Sequence, residues 1–355
     1  MNRRLEGFRQ RMQGVGVQAA LVTFPPNIRY LTGYKGEGAL LALPGEAVIL
    51  TDFRYVEQAA REAPDCLCVR TTTEEKLPQK VYGLLEERGI RSLHIEPEAL
   101  TFSEYRRLEK ALEGVSLEEL PKFCEEMRMV KDEHELACVI RASEIACRAF
   151  DRLLGIIKPG VTEKALAVEL NYMMLREGSE ACAFDTIVAA GVNGSLPHAV
   201  PSGYRIQKGD MVTFDFGAQV DGYKTDITRT VAVGVLDEAK KAIYQTVLDA
   251  QRAALEKIEP GVICRDVDKV ARDLIDAKYP GAFGHSLGHG VGLCIHELPN
   301  FSVKCESVLQ AGHVMTVEPG VYIEGLGGCR IEDTVILRPG GFVNAITAPK
   351  ELICL

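Results

Sequence analysis
Residues 157–161, Ile-Lys-Pro-Gly-Val, recur 101 residues later as Ile-Glu-Pro-Gly-Val at 258–262. The recurrence is ordered. Ala183-Phe184 returns as Ala282-Phe283, His198-Ala-Val-Pro201 as His296-Glu-Leu-Pro299, Asp215 as Glu318, and Asp226 as Glu332. Five matches in one order, at nearly one spacing, point to duplication. With only two copies, each roughly 100 residues long, the repeats close into one core and do not stack as a solenoid. Residues 123–355 therefore read as one α+β domain of two diverged halves about a pseudo-twofold axis. Equivalent positions of both halves meet at that axis. Each Pro-Gly motif ends one helix and precedes another, predicted at Glu163–Glu177 and Arg265–Lys278. A long amphipathic helix is predicted over Asp132–Ile156, with Leu136, Val139, Ile140, Ile145, Phe150 and Leu154 available for burial.

Residues 1–122 have a different texture. Leu5, Phe8 and Met12 follow helical spacing, and 56–62 and 79–88 also read as helices. Ala19–Phe24, Ala47–Leu50 and Ser92–Ile95 read as strands, with Pro25-Pro26 and Pro44-Gly45 as turns. This alternation predicts an α/β N-terminal domain, joined through a linker around Pro121–Met129. The 355 residues carry a formal charge of −9, which argues against a partner held through its phosphates. No apolar run approaches the roughly 20 residues of a membrane span. The charged start, Met-Asn-Arg-Arg-Leu-Glu, predicts no signal peptide. The eleven cysteines are odd in number and lack Cys-x-x-Cys spacing, so reduced thiols in a cytoplasm are expected.

The chemistry concentrates at the repeat landmarks. Asp215 lies in Val-Thr-Phe-Asp-Phe-Gly and Asp226 in Thr-Asp-Ile-Thr-Arg-Thr-Val, with Asp221-Gly222 between them. That pattern is a β-hairpin with an acid on each arm. One carboxylate in an apolar strand is most often an ion pair or a cap. Two, each with a glutamate counterpart in the other half, point to a site. Gly284-His-Ser-Leu-Gly-His-Gly-Val-Gly292 adds His285 and His289, whose flanking glycines permit close backbone approach. His198 and His296 also sit on landmarks, whereas His94, His134 and His313 carry no such pattern. Four carboxylates and an imidazole form an oxygen-rich set. It suits two divalent cations roughly 3.5 Å apart, with Mn²⁺ favoured and Co²⁺, Fe²⁺ or Zn²⁺ possible.

Asp215, Asp226, Gly-His289-Gly, Glu318-Pro-Gly and Arg330-Ile-Glu332-Asp together resemble the pita-bread metallopeptidases: methionine aminopeptidase, aminopeptidase P and prolidase. The N-terminal α/β domain resembles that of creatinase and places the chain near the Xaa-Pro branch. The resemblance implies a pita-bread (creatinase/aminopeptidase-like) C-terminal domain, a homodimer, and hydrolysis of Xaa-Pro bonds at the N-terminus of short proline-containing peptides. It further implies that Asp215 chelates one ion, His289 and Glu318 hold the other, and Asp226 and Glu332 bridge them. Glu318 becomes the general base. His296 stabilises the tetrahedral species, His198 contacts substrate near the scissile bond, and His285 and Arg330 face the substrate.

Two other classes share this fold. Creatinase-like amidinohydrolases work without metal and have lost the acids, and non-catalytic peptide- or protein-binding relatives also lose ligands. Here all five positions are present. A strict dipeptidase of the Xaa-Pro branch is expected to carry an Arg soon after its His-Glu-x-Pro turn, to read the substrate carboxylate. Here Asn300 follows His296-Glu-Leu-Pro299, with Lys304 and Arg330 as the nearby cations. The sequence therefore predicts cleavage of tripeptides or longer peptides at least as well as dipeptides.

Overall fold
The structure, a computed structural model, describes residues 3–355. It divides into two compact units, one ending at Met127 and one spanning Arg128–Leu355. The first unit is built on a six-stranded sheet. Its strands are β1 (Ala20–Val22), β2 (Ala39–Leu43), β3 (Glu46–Thr51), β4 (Leu67–Arg70), β5 (Ser92–Ile95) and β6 (Ser116–Glu119), in the order β4-β3-β2-β1-β5-β6. Antiparallel β1–β2–β3 is extended on either side by parallel neighbours. Helices α1 (Arg3–Gly14), α2 (Pro25–Thr32), α3 (Val56–Glu62), α4 (Leu77–Glu87), α5 (Phe102–Ala111) and α6 (Phe123–Met129) complete the α/β character.

Two local expectations fail here. Pro25-Pro26 opens α2 instead of turning, because proline at the first helical positions forfeits only N–H groups that have no intrahelical acceptor. The expected linker folds as α6, where Phe123 and Cys124 are buried and Phe8 meets the Phe123 ring edge-on at 6.2 Å.

The second unit repeats one plan. Its first half runs α7 (Glu133–Leu154), α8 (Glu163–Arg176), β7 (Ile187–Ala190), β8 (Asp210–Phe216), β9 (Gln219–Val220), β10 (Tyr223–Lys224) and β11 (Ile227–Val233). The second half runs α9 (Glu238–Lys257), α10 (Cys264–Asp276), β12 (Gly288–Gly290), β13 (Glu297–Phe301), β14 (Val314–Val317), β15 (Gly320–Ile323), β16 (Gly327–Arg330), β17 (Asp333–Arg338) and β18 (Gly341–Asn344). The larger sheets are β11-β8-β7 and β13-β12-β14-β17-β18, with β9–β10 and β15–β16 pairing as two-stranded ribbons.

Equivalent backbone bonds recur in both halves. Gly160 N donates to Ile206 O and Gly261 N to Leu309 O, both at 2.8 Å. Ile206 N returns to Val161 O, and Leu309 N to Val262 O. α7 starts at a capping box, Asp132 with Glu135, that ties off the first free N–H groups. Its apolar face, with α8, covers β8 and β11 through Phe150, Leu166, Phe214 and Val231, and Phe150 stacks on Phe216 at 5.7 Å. The other half buries Val247, Val267, Met315 and Val335 in the same manner. Among the described residues no helix is long and apolar enough to cross a membrane.

Candidate metal centre
The turn between β9 and β10 sets the first pair of acids. Asp221 and Gly222 both adopt positive φ, 44° and 74°, the pattern of a two-residue hairpin turn. Beyond it β8 and β11 pair with Asp215 opposite Thr228 and Ile227 opposite Phe216. Asp226 immediately precedes β11, so both aspartates face one end of the hairpin. The second half contributes from three places: His289 on β12, Glu318 between β14 and β15, and Glu332 between β16 and β17. The glycines beside His289 let its strand close on its neighbours. A Cβ on Gly288 would lie 2.1 Å from Thr316 O, and one on Gly290 2.6 Å from Leu298 O.

Asp226, His289 and Glu332 each offer a ligand atom, all within 4.8 Å of one another. His289 Nδ1 donates to Gly290 O at 3.0 Å, which fixes the tautomer and leaves Nε2 for the site. That Nε2 lies 3.3 Å from Glu318 Oε1 and 3.6 Å from Asp226 Oδ2. Asp215 accepts from the Arg330 guanidinium through Oδ2.

Three carboxylate oxygens here, Asp215 Oδ1, Asp226 Oδ1 and Glu332 Oε1, are buried with no hydrogen-bond partner. An unsatisfied buried polar atom costs about 1–3 kcal/mol, and more when charged. Three together, beside an imidazole lone pair, form the donor set of a cation site. Carboxylates and one imidazole suit hard or borderline divalent ions, so the residues fit such ions. The electrostatics agree. Burial, then the neighbouring carboxylates, push Asp226 and Glu332 well above the usual carboxylate range. Burial also works against ionisation of Glu318, but the hydrogen bond and charge of His289 outweigh it and hold its pKa low.

The remaining predicted residues fall around this centre. His296 meets the His289 ring edge-on at 4.4 Å, and burial followed by His289 lowers its pKa. His285 Nδ1 donates to Ser286 O at 2.8 Å, and its Nε2 accepts from Tyr322 Oη at 2.9 Å. Tyr322 in turn accepts from Arg330 at 2.9 Å, and burial raises its phenol to about 12. His198 is exposed, and its charge acts on both His285 and His296. Arg330, 4% exposed, also donates to Thr228 Oγ1 and Pro197 O.

Sequence reasoning missed the threonines that hold the acids. Thr228 Oγ1 donates to Glu332 Oε2 at 2.6 Å. Thr334 Oγ1 donates to Asp226 O at 2.6 Å, and Thr316 Oγ1 accepts from His289 N at 2.9 Å while donating to Glu318 Oε1 at 3.2 Å. A signal existed, since Asp226 and Glu332 each have a threonine two residues on.

Residues 137–339 match metallopeptidase family M24, and residues 4–130 match the creatinase/prolidase N-terminal domain. The chain belongs to metallopeptidase family M24. It is 35% identical to a Xaa-Pro dipeptidase of Pyrococcus horikoshii, over 99% of each chain. Its fold superposes on a Xaa-Pro dipeptidase from Bacillus anthracis with TM-score 0.95 and 38% identity, covering 99% of each chain. An X-Pro aminopeptidase from Thermotoga maritima gives TM-score 0.88 and 35% identity, covering 97% of this chain and 100% of that one. Membership implies divalent metal ions and a peptide substrate for this hydrolase, with the pita-bread fold of prolidases.

Proposed function
We propose that the chain hydrolyses Xaa-Pro bonds at the N-terminus of short peptides, using two divalent ions, Mn²⁺ by preference, as a cytoplasmic homodimer. The observation that carries this reading is the set of three orphaned, buried carboxylate oxygens beside His289 Nε2. The names of the relatives support the bond cleaved, and eleven free cysteines support a reducing compartment. The homodimer follows from the resemblance to prolidases and aminopeptidase P.

In this reading Asp215, Asp226, His289, Glu318 and Glu332 would together hold the two ions. When bound, the ions supply Lewis acidity and lower the pKa of water toward neutrality. Glu318, its pKa held low by His289, is ionised at neutral pH and takes the proton of the attacking water as general base. His296, neutral because burial and His289 lower its pKa, donates a hydrogen bond to the oxygen that gains charge, and helps the departing proline nitrogen take up the proton that Glu318 received from the water. His198 and His285 flank the proline ring. Arg330 orients Asp215 and keeps a guanidinium N–H for the substrate.

The length preference rests on Asn300, which pairs directly with His289 across β12–β13. Directly opposed residues share a face, so the β13 residue set opposite His289 carries an uncharged amide. Tripeptides should therefore be cleaved at least as well as dipeptides. The test compares kcat/KM for Ala-Pro and Ala-Pro-Ala in Mn²⁺, with Met-Ala-Ser as control. Hydrolysis of Met-Ala-Ser alone contradicts the Xaa-Pro reading. A tenfold preference for Ala-Pro, about 1.4 kcal/mol, contradicts the length preference.

A further inference from the structure
The second cluster of metal-ligating side chains lies where α7 runs along the β9–β10 hairpin. α7 holds that hairpin by a hydrogen bond from Tyr223 to Glu135 and by the hydroxyl pair Ser143–Thr225 at 2.7 Å. At the turn, one turn of helix carries His134 and Cys138, four residues apart and so on one face. Asp221, held in the left-handed region at φ 44°, brings its carboxylate to the same point. His134 Nε2 lies 3.2 Å from Asp221 Oδ2 and 3.9 Å from Cys138 Sγ, and all three ligand atoms fall within 4.8 Å of one another.

We propose that His134, Cys138 and Asp221 form a second divalent-metal site, selective for a thiophilic ion of the Zn²⁺ class and distinct from the carboxylate centre. Ligands about 2.0–2.3 Å from one tetrahedral zinc lie roughly 3.3–3.7 Å apart, so small side-chain adjustments bring these three atoms onto one ion. Thiolate and imidazole favour Zn²⁺ or Co²⁺ over Mn²⁺ or Mg²⁺. Cys138 is buried at 7% exposure and His134 is solvent-facing at 71%, so the ion enters from outside and leaves a fourth position to water. A filled site clamps α7 to the turn of the hairpin whose arms carry Asp215 and Asp226.

The test loads full-length protein with Mn²⁺ and titrates it with Co²⁺. None of the five residues at the carboxylate centre is a cysteine, so a thiolate-to-cobalt charge-transfer band in the near ultraviolet reports this site. One equivalent of Co²⁺ should raise the band, and Zn²⁺ should bleach it. Cys138→Ser should abolish it. His134→Ala, at an exposed position that leaves folding and Mn²⁺-supported peptidase activity unchanged, should weaken Co²⁺ binding at least about tenfold, the smallest loss typical even of a supporting partner. No band, a band that survives Cys138→Ser, or a titration unmoved by His134→Ala overturns the proposal.

Discussion

Glu332 and Asp333 are neighbours in the chain and equally buried, yet they live in opposite electrostatic worlds. Asp333 Oδ1 accepts from Arg229 at 2.7 Å, and Oδ2 accepts from Gln251 and Asn344, each at 2.8 Å, and from Lys350. Arg229 is equally satisfied, donating to the carbonyls of Thr228, Ala348 and Pro349. Burial works against the Asp333 charge, but Arg229 and Lys350 outweigh it and hold the pKa below the usual range. Glu332 has one oxygen on Thr228 and the other on nothing, and its pKa is pushed well up. Burial alone does not separate a structural acid from a functional one. The state of its hydrogen bonds does.

The largest effect that sharpens this contrast should come from the satisfied acid. Asp333→Asn leaves Arg229 and Lys350 beside a neutral amide deep in the core. Breaking a buried pair costs about 3–5 kcal/mol, which urea denaturation will read as a lower midpoint. Glu332→Gln in metal-stripped protein should cost far less, because it replaces an acid that has no cationic partner and one oxygen without any hydrogen bond. Equal losses in the two variants would erase the distinction.

His296 tests the other boundary, between ligand and non-ligand. His296→Ala should lower kcat by roughly 10²–10³, typical for loss of one transition-state donor, while metal content stays at the wild-type level. An unchanged kcat removes its catalytic role.

The smallest effect is in pH. His313 is buried, its Nε2 has no partner, and burial followed by Lys131 lowers its pKa to about 4. A histidine depressed in the folded state contributes stability that is present above its unfolded pKa of about 6.5 and lost as pH falls toward the folded value. Asp333, also depressed, withdraws its contribution only below about pH 4, near the carboxylate reference value. The stability carried by these two groups should therefore fall in two windows on acidification. His313→Gln should flatten the upper window and leave the lower one, measured by urea midpoints across pH.

The duplication was legible because its landmarks are rigid. Pro-Gly after a helix encodes local geometry that survives divergence. Gln207-Lys-Gly-Asp210 and Gln310-Ala-Gly-His313 form a sixth repeated pair that sequence reasoning passed over. Both glycines sit near φ 90°, and Asp210 and His313 side chains each accept from the glutamine N–H of their own turn. Unlike Asp and His do not look like a repeat until their shared hydrogen bond is seen. Thr228, Thr316 and Thr334 were invisible for a different reason. Threonine is an ordinary strand residue, and only the position of its hydroxyl distinguishes a spacer from a bracket. His134 lacked a landmark because its partner Asp221 is remote in sequence, and chain contacts bring the two together.

The central claim is that the unsatisfied acids are the metal-binding ones. Metal content by elemental analysis, after reconstitution with Mn²⁺ and removal of excess, tests it most directly. Wild-type protein and the folded fraction of Asp333→Asn should each hold two equivalents, whereas Asp226→Ala and Glu332→Ala should lose both ions if, as proposed, each acid serves both. Asp215→Ala should deplete one site more than the other. Two full equivalents retained in Asp226→Ala would contradict the account.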